Sequence, residues 1–298
     1  MGEFGLSFFS IGNKNQNKPV NQPSETVKSS TVNLFDNEPE KTPSKKEVKK
    51  NEKEEKKRIN NTPDGIIQGG KQGSNAGDCW LLAEMNSMAQ TDWGKEAFKN
   101  AITTNENGDY EVSFKGIDKT VTITQKEFKR AQGDSDYSSG DADALLYELA
   151  VERHFKEADL NNKTIYGNQV AGEASLQYLM TGSKGRETKE EAHIEPILKE
   201  MGKSPENNNG IAATYVYNAE YDGSKGRGHV VSIQQVILDD KENVDKIVIK
   251  DSYHPERTQT ISFKSFKRSV TSFGYVTRPK QNTTPTPPQT TTPTTNQE

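Results

Sequence analysis

Cysteine is nearly missing: the 298-residue chain carries one, Cys79. A lone thiol excludes an intramolecular disulfide and any zinc site built from several cysteines. Apolar residues reach only 30% and aromatics 8% of the chain, with a mean hydropathy of −0.94. That is too polar for one compact domain over this length, so part of the chain is expected to be unfolded tail. Charge of one sign is also lacking. A formal net charge of −4 offers no electrostatic footprint for nucleic acid. No apolar run is long enough to span a membrane. The opening MGEFGLSFFSIGNKNQ has neither a basic n-region nor a full apolar stretch, so it reads poorly as a secretory signal. Leu6 stands where a myristoylation site needs Ser or Thr. A cytoplasmic protein is the default expectation, with secretion by a route that needs no cleaved signal left open.

What is present is concentrated around Cys79. Residues 73–77, GSNAG, have no apolar periodicity and read as a tight loop. After them Leu81, Met85 and Met88 recur at helical spacing, and Leu82 and Ala89 widen the same face. Asp78 occupies an N-cap position, which puts Cys79 in the first turn of a mostly buried helix. Unpaired N–H groups and positive partial charge at a helix N-terminus favour a thiolate over a thiol. The same N–H groups can donate to an oxyanion forming beside the sulfur.

Gln72-Gly73 followed by Gly77-Asp78-Cys79-Trp80-Leu81-Leu82-Ala83 resembles the active-site signature of calpain-type cysteine proteases. Gln72 stands seven residues before Cys79, one more than the usual calpain loop, so the loop is expected to bulge to aim the glutamine amide at the oxyanion. The segments ALLYELAVERHF and YGNQVAGEASLQYL extend the likeness. The resemblance implies a papain-like protease with a cleft between two lobes and a protein or peptide as substrate. It also implies that Gln72 serves the oxyanion.

Along the chain, residues 1–60 are polar and charged, including KKEVKKNEKEEKKR over 45–58, and read as a flexible tail. Short strands are expected at 110–114 and 121–124, and helices at 141–155, 173–180 and 189–201, the last stopped by Gly202. Strands are expected at 212–217, 229–238, 246–250, 258–263 and 273–277, rich in Val, Ile, Thr and Tyr. The pattern gives an α+β fold, a helical lobe over 61–205 and an antiparallel β-rich lobe over 206–280. The stretch 281–298 is a Thr/Pro tail with no aliphatic or aromatic side chain.

A thiol protease needs a base beside the cysteine and a group that orients the base. His154 and His193 fall on helices that account for them, and His254 sits in a turn before Pro255. His229 follows Gly226-Arg227-Gly228, opens an apolar strand, and lies about 150 residues beyond Cys79, a separation suited to papain-like enzymes. It is the candidate general base. Asp251 in KIVIKDSYHPER stands where the resembling calpain strand ends in Asn-Pro-Trp. There it would accept the imidazole Nδ1–H, with Tyr253 shielding the bond as tryptophan does. Trp80 is expected in the core. The chemistry requires no cofactor. No EF-hand pattern occurs, and calcium binding through loop carboxylates of the kind found in calpain cores stays open. Two other readings use the same residues: a transglutaminase-like Cys-His-Asp acyltransferase, and an inactive binding module that keeps the fold.

Overall fold

A computed structural model of the protein describes residues 62–74, 76–160, 172–204, 208–221 and 224–279. The chain divides into two units, Met1–Thr31 and Val32–Glu298, and every described residue belongs to the second. The expected tails over 1–60 and 281–298 lie outside the described residues, as does most of the YGNQVAG segment.

The described residues form an α+β structure with seven α-helices and two antiparallel sheets. The helices are α1 (Cys79–Met88), α2 (Asp92–Lys99), α3 (Gln125–Gln132), α4 (Ala142–Ala158), α5 (Leu176–Thr181), α6 (Glu191–Lys203) and α7 (Phe263–Ser269). The strands β1 (Ile102–Thr104), β2 (Tyr110–Phe114) and β3 (Lys119–Ile123) form one meander. The larger sheet holds β4 (Arg186–Thr188), β5 (Ala212–Tyr221), β6 (Ser224–Leu238), β7 (Val244–Lys250), β8 (Thr258–Ser262) and β9 (Val270–Val276) in the order β4-β9-β5-β6-β7-β8.

Period-two alternation in the larger sheet feeds two cores. On β5, Ala213, Tyr215 and Tyr217 join Val231 and Ile233 of β6, Ile247 and Ile249 of β7, Leu198 of α6 and Phe266 of α7. The opposite face carries Ala212, Val216 and Val230 into a second core with α1, α4, α5 and the small meander. Helix α1 therefore lies between the sheet and the other helices, and all ten of its residues are buried. Trp80 is fully buried and stacks on Phe155 of α4 at 6.1 Å. Each such large side chain contributes about 1.5–3 kcal/mol of burial.

Several boundaries differ from the sequence expectation for local reasons. Asp141 caps α4 from outside it, accepting the Ala144 N–H at 3.1 Å, and Ser175 caps α5. Gly202 is inside α6 rather than its stop. A Cβ there would stand 2.7 Å from the Leu238 side chain, so the glycine makes room for β6. Strand β6 begins at Ser224, which puts His229 within the strand rather than at its start. Helices α2, α3 and α7 have seven or eight residues, too few to display a clear apolar period. Their caps were the readable signal: Thr91, the Thr124/Glu127 capping box and Ser262.

Candidate active site

Four separate segments supply the predicted residues. Gln72 ends an extended strap, Cys79 is the first residue of α1, His229 lies on β6, and Asp251 follows the last residue of β7. Antiparallel pairing sets Ser232 opposite Lys250, which brings the next residue, Asp251, beside His229. Cys79, His229, Asp251 and Gln72 are all buried, with 2–6% of their surface exposed.

The His229 Nε2 meets Asp251 Oδ1 at 2.9 Å, and the same imidazole makes a side-chain hydrogen bond with Cys79. The ring nitrogen facing the carboxylate is thus Nε2, not the expected Nδ1, which leaves Nδ1 for the thiol. Tyr253 fixes the carboxylate by donating its backbone N–H to Asp251 Oδ1 at 2.9 Å. Burial opposes charge on the imidazole, but the hydrogen bonds and charges of Asp251 and Cys79 outweigh it and push His229 up to about 10. Burial likewise works to raise Asp251, and the bond to His229 reverses it, so the carboxyl lies below its ordinary range. Both shifts favour a charged imidazole beside an ionised carboxylate. The Tyr253 ring stacks on His229 at 5.1 Å and 21°, the shielding position expected of it.

Gln72 is held at both ends of its side chain. Its Oε1 accepts from Ser252 Oγ at 2.9 Å and its Nε2 donates to the Ala76 carbonyl at 2.6 Å. Its backbone N–H donates to the Ser252 carbonyl. One amide hydrogen is therefore committed to the loop between Gln72 and Cys79, and the amide's second N–H is not part of that bond. Ser252, beside Asp251, links the glutamine to the acid. No local pattern signals this link, because it depends on how two distant segments meet.

Asp78 is the N-cap by position, but its side chain makes no cap hydrogen bond. It turns inward, fully buried, to Glu148 of α4, which also accepts the Ser138 N–H at 2.8 Å. Burial and the facing Asp78 raise Glu148 well above a carboxyl's usual range, and burial raises Asp78 to about 6. The first-turn N–H groups of α1 are consequently not taken by Asp78.

The strap before Gln72 is stitched down by carboxylates. Asp143 accepts the N–H groups of Asp64 and Gly65, and Asp141 those of Gln68 and Gly69. Lys250 of β7 donates to the Gln68 carbonyl at 2.8 Å. The strap thereby spans from α4 to the sheet strand that precedes Asp251. Among the other histidines, His154 is buried beside Lys119 Nζ at 3.2 Å, and His193 and His254 are exposed.

Glu84, also on α1, is fully buried and accepts the Leu176 N–H at 2.6 Å at the start of α5. Burial pushes its carboxyl up to about 8, against the pull of backbone hydrogen bonds from Leu176 and Gln177. A folded pKa above the ordinary 4.5 contributes stability that is complete below about 4.5 and lost as pH rises through about 8. Glu84→Gln cannot ionise and keeps an acceptor. Its melting temperature should therefore fall less steeply than wild type across that window, by close to one proton in the linkage slope. Parallel slopes in thermal melts of the two proteins would contradict this.

Among the described residues no group of three or more His, Cys, Asp or Glu side chains is placed to hold a metal ion, and no helix is long and apolar enough to cross a membrane. Compared with known proteins, the sequence matches no family model and no curated protein. Any functional reading therefore rests on the motif and on the geometry of these side chains.

Proposed function

We propose that the protein is a cysteine endopeptidase of calpain type, built as a papain-like helical lobe and β-rich lobe. The observation that carries this reading is the buried imidazole of His229, bonded to Asp251 through Nε2 and to the thiol of Cys79. The flanking Gln72 amide and the uncapped first turn of α1 add oxyanion donors.

In the proposed cycle, the Cys79 thiolate attacks the scissile carbonyl carbon, and the oxyanion is held by the Cys79 N–H and the second Gln72 amide N–H. As the C–N bond breaks, His229 gives its proton to the leaving amine, which departs, leaving a thioester on Cys79. His229, now neutral, takes a proton from water as the water attacks the thioester. The acid is released and the Cys79 thiolate and imidazolium are restored. Asp251 keeps the ring oriented throughout and stabilises the imidazolium at the steps where it is charged. The chemistry needs no cofactor.

The test is cleavage of casein or a peptide library by the purified full chain, with and without millimolar calcium. Iodoacetamide should abolish cleavage and add one carbamidomethyl group at Cys79. Cleavage that needs calcium would assign a calcium switch, and equal cleavage without it would assign none. No cleavage in either buffer sinks the reading. Incorporation of an amine into glutamine donors, without hydrolysis of the chain, would put the acyltransferase reading in its place.

A further inference from the structure

His229 does not stand alone on its face of the sheet. A file of aromatic rings runs through the β-rich core and ends at it. Phe273 meets Phe266 at 6.5 Å, Phe266 meets Tyr215 at 4.9 Å, and Tyr215 meets Tyr217 at 5.9 Å. Tyr217 then meets the imidazole at 5.6 Å with the two planes at 87°. Tyr217 is itself buried, 3% exposed, and sits directly opposite His229 in the β5–β6 register.

A backbone irregularity occurs at this point. The β5–β9 pairing runs Val216 to Ser272 and then Tyr217 to Val270, so Thr271 is an extra residue on β9. Thr271 closes the bulge by donating its hydroxyl to the Val216 carbonyl at 3.1 Å. Bulges bend a strand and re-aim the side chains beside them. Here the side chain beside the bulge is the one in contact with His229.

Resting on the function proposed above, the geometry points to Tyr217 as a positioning residue for His229. Its ring sets the imidazole plane in which one nitrogen serves Asp251 and the other serves Cys79. Two contacts define that plane: Tyr253 lies parallel to the imidazole, and Tyr217 is perpendicular to it. A ring wedged by one parallel and one perpendicular neighbour cannot rotate about its Cβ–Cγ bond without losing both contacts. Tyr253 is half-buried, whereas Tyr217 is anchored by the aromatic file behind it. The ring rather than the phenol oxygen carries the role, so phenylalanine should substitute for it and an aliphatic residue should not. Cys79 and Asp251 are the groups bonded to His229, and Tyr217 and Tyr253 are the titratable rings against it. Changing Tyr217 removes one phenol and leaves Cys79, Asp251 and Tyr253 in place.

The experiment compares wild type, Tyr217→Leu and Tyr217→Phe in the full chain by three readouts. These are the His229 titration by NMR, the pH profile of Cys79 alkylation by iodoacetamide, and kcat and KM on one cleaved peptide. Tyr217→Leu should lower the alkylation rate at pH 6 and kcat by about 10–100-fold, with KM little changed. It should also move the His229 titration to lower pH. Tyr217→Phe should restore all three to within about threefold of wild type. If Tyr217→Leu does not fold by circular dichroism, Tyr217→Met, which fills much of the same space without a ring, takes its place. An aliphatic variant that folds and keeps the wild-type titration and alkylation profile overturns the assignment. If wild type alkylates at Cys79 but cleaves no peptide, the protease reading falls by itself, and titration and alkylation still decide the role of Tyr217.

Discussion

Replacing Cys79 with alanine is expected to lower peptide cleavage by at least about 10⁴-fold while the protein stays folded. The two halves of that expectation have different origins. Activity disappears because sulfur is the atom that bonds to the acyl group, and no neighbouring side chain replaces it. Asp251 and His229 are bonded to each other and cannot reach the carbonyl as a nucleophile in its place. Folding survives because the lost side chain is small and sits at the helix start, while Trp80, Leu81, Leu82, Met85 and Met88 keep α1 packed. The cost in stability should be no more than about 1 kcal/mol. The readouts are cleavage of a quenched peptide and a thermal melt by circular dichroism. Residual cleavage within about tenfold of wild type would mean that the activity lies elsewhere. A Cys79→Ala/His229→Ala double variant should be no worse than Cys79→Ala alone, since residues that act as one unit lose their function once.

How much of this could be read from the chain depends on the range of each interaction. The Cys79 segment was legible because its signal is local: a glycine loop, an N-cap position and an apolar helix lie in one stretch. His229 was reachable because it follows a glycine break at the head of an apolar strand pattern, and Asp251 because the resemblance set it at the end of the next strand. Which imidazole nitrogen meets Asp251 was not legible, because it depends on a side-chain rotation. Ser252 and Tyr217 were missed for a related reason. Their roles come from the meeting of the strap with the turn after β7, and from the β5–β6 register, neither of which leaves a pattern in the sequence. Helix α1 shows the limit from the other side. The helix was expected to be mostly buried, and its polar residues Glu84, Asn86 and Ser87 are buried along with the apolar ones. Glu84 accepts the distant Leu176 N–H and Ser87 donates its hydroxyl to the Glu84 carbonyl within the helix, while Glu84 Oε1 and the Asn86 amide nitrogen are buried without a hydrogen-bond partner.

Asp251 offers the second large effect and separates charge from geometry. Asp251→Ala removes the partner of a buried imidazolium. Breaking a buried pair in this way should cost about 3–5 kcal/mol of stability. It should also cost about 10²–10⁴-fold in kcat/KM, since the ring loses both its tautomer and its anchor. Asp251→Asn is expected to be much milder, within about tenfold of wild type at pH 6–7, because an amide oxygen still accepts the Nε2–H at the same position. What asparagine cannot supply is charge. The raised pKa of His229, about 10 against an ordinary 6.5, contributes stability that is full below 6.5 and lost as pH rises through about 10. The lowered pKa of Asp251 acts at the other end: its contribution is present above the ordinary 3.8 and is lost as pH falls below it. With asparagine, the imidazolium loses a counter-charge, so the alkaline limb of kcat/KM should move to lower pH. A pH–rate profile from about pH 4 to 10.5 on one peptide reads both limbs. If Asp251→Asn instead loses as much as Asp251→Ala at every pH, the carboxylate's charge rather than its hydrogen bond dominates the site. If neither variant changes the profile, Asp251 has no part in catalysis and the bond to His229 is purely structural.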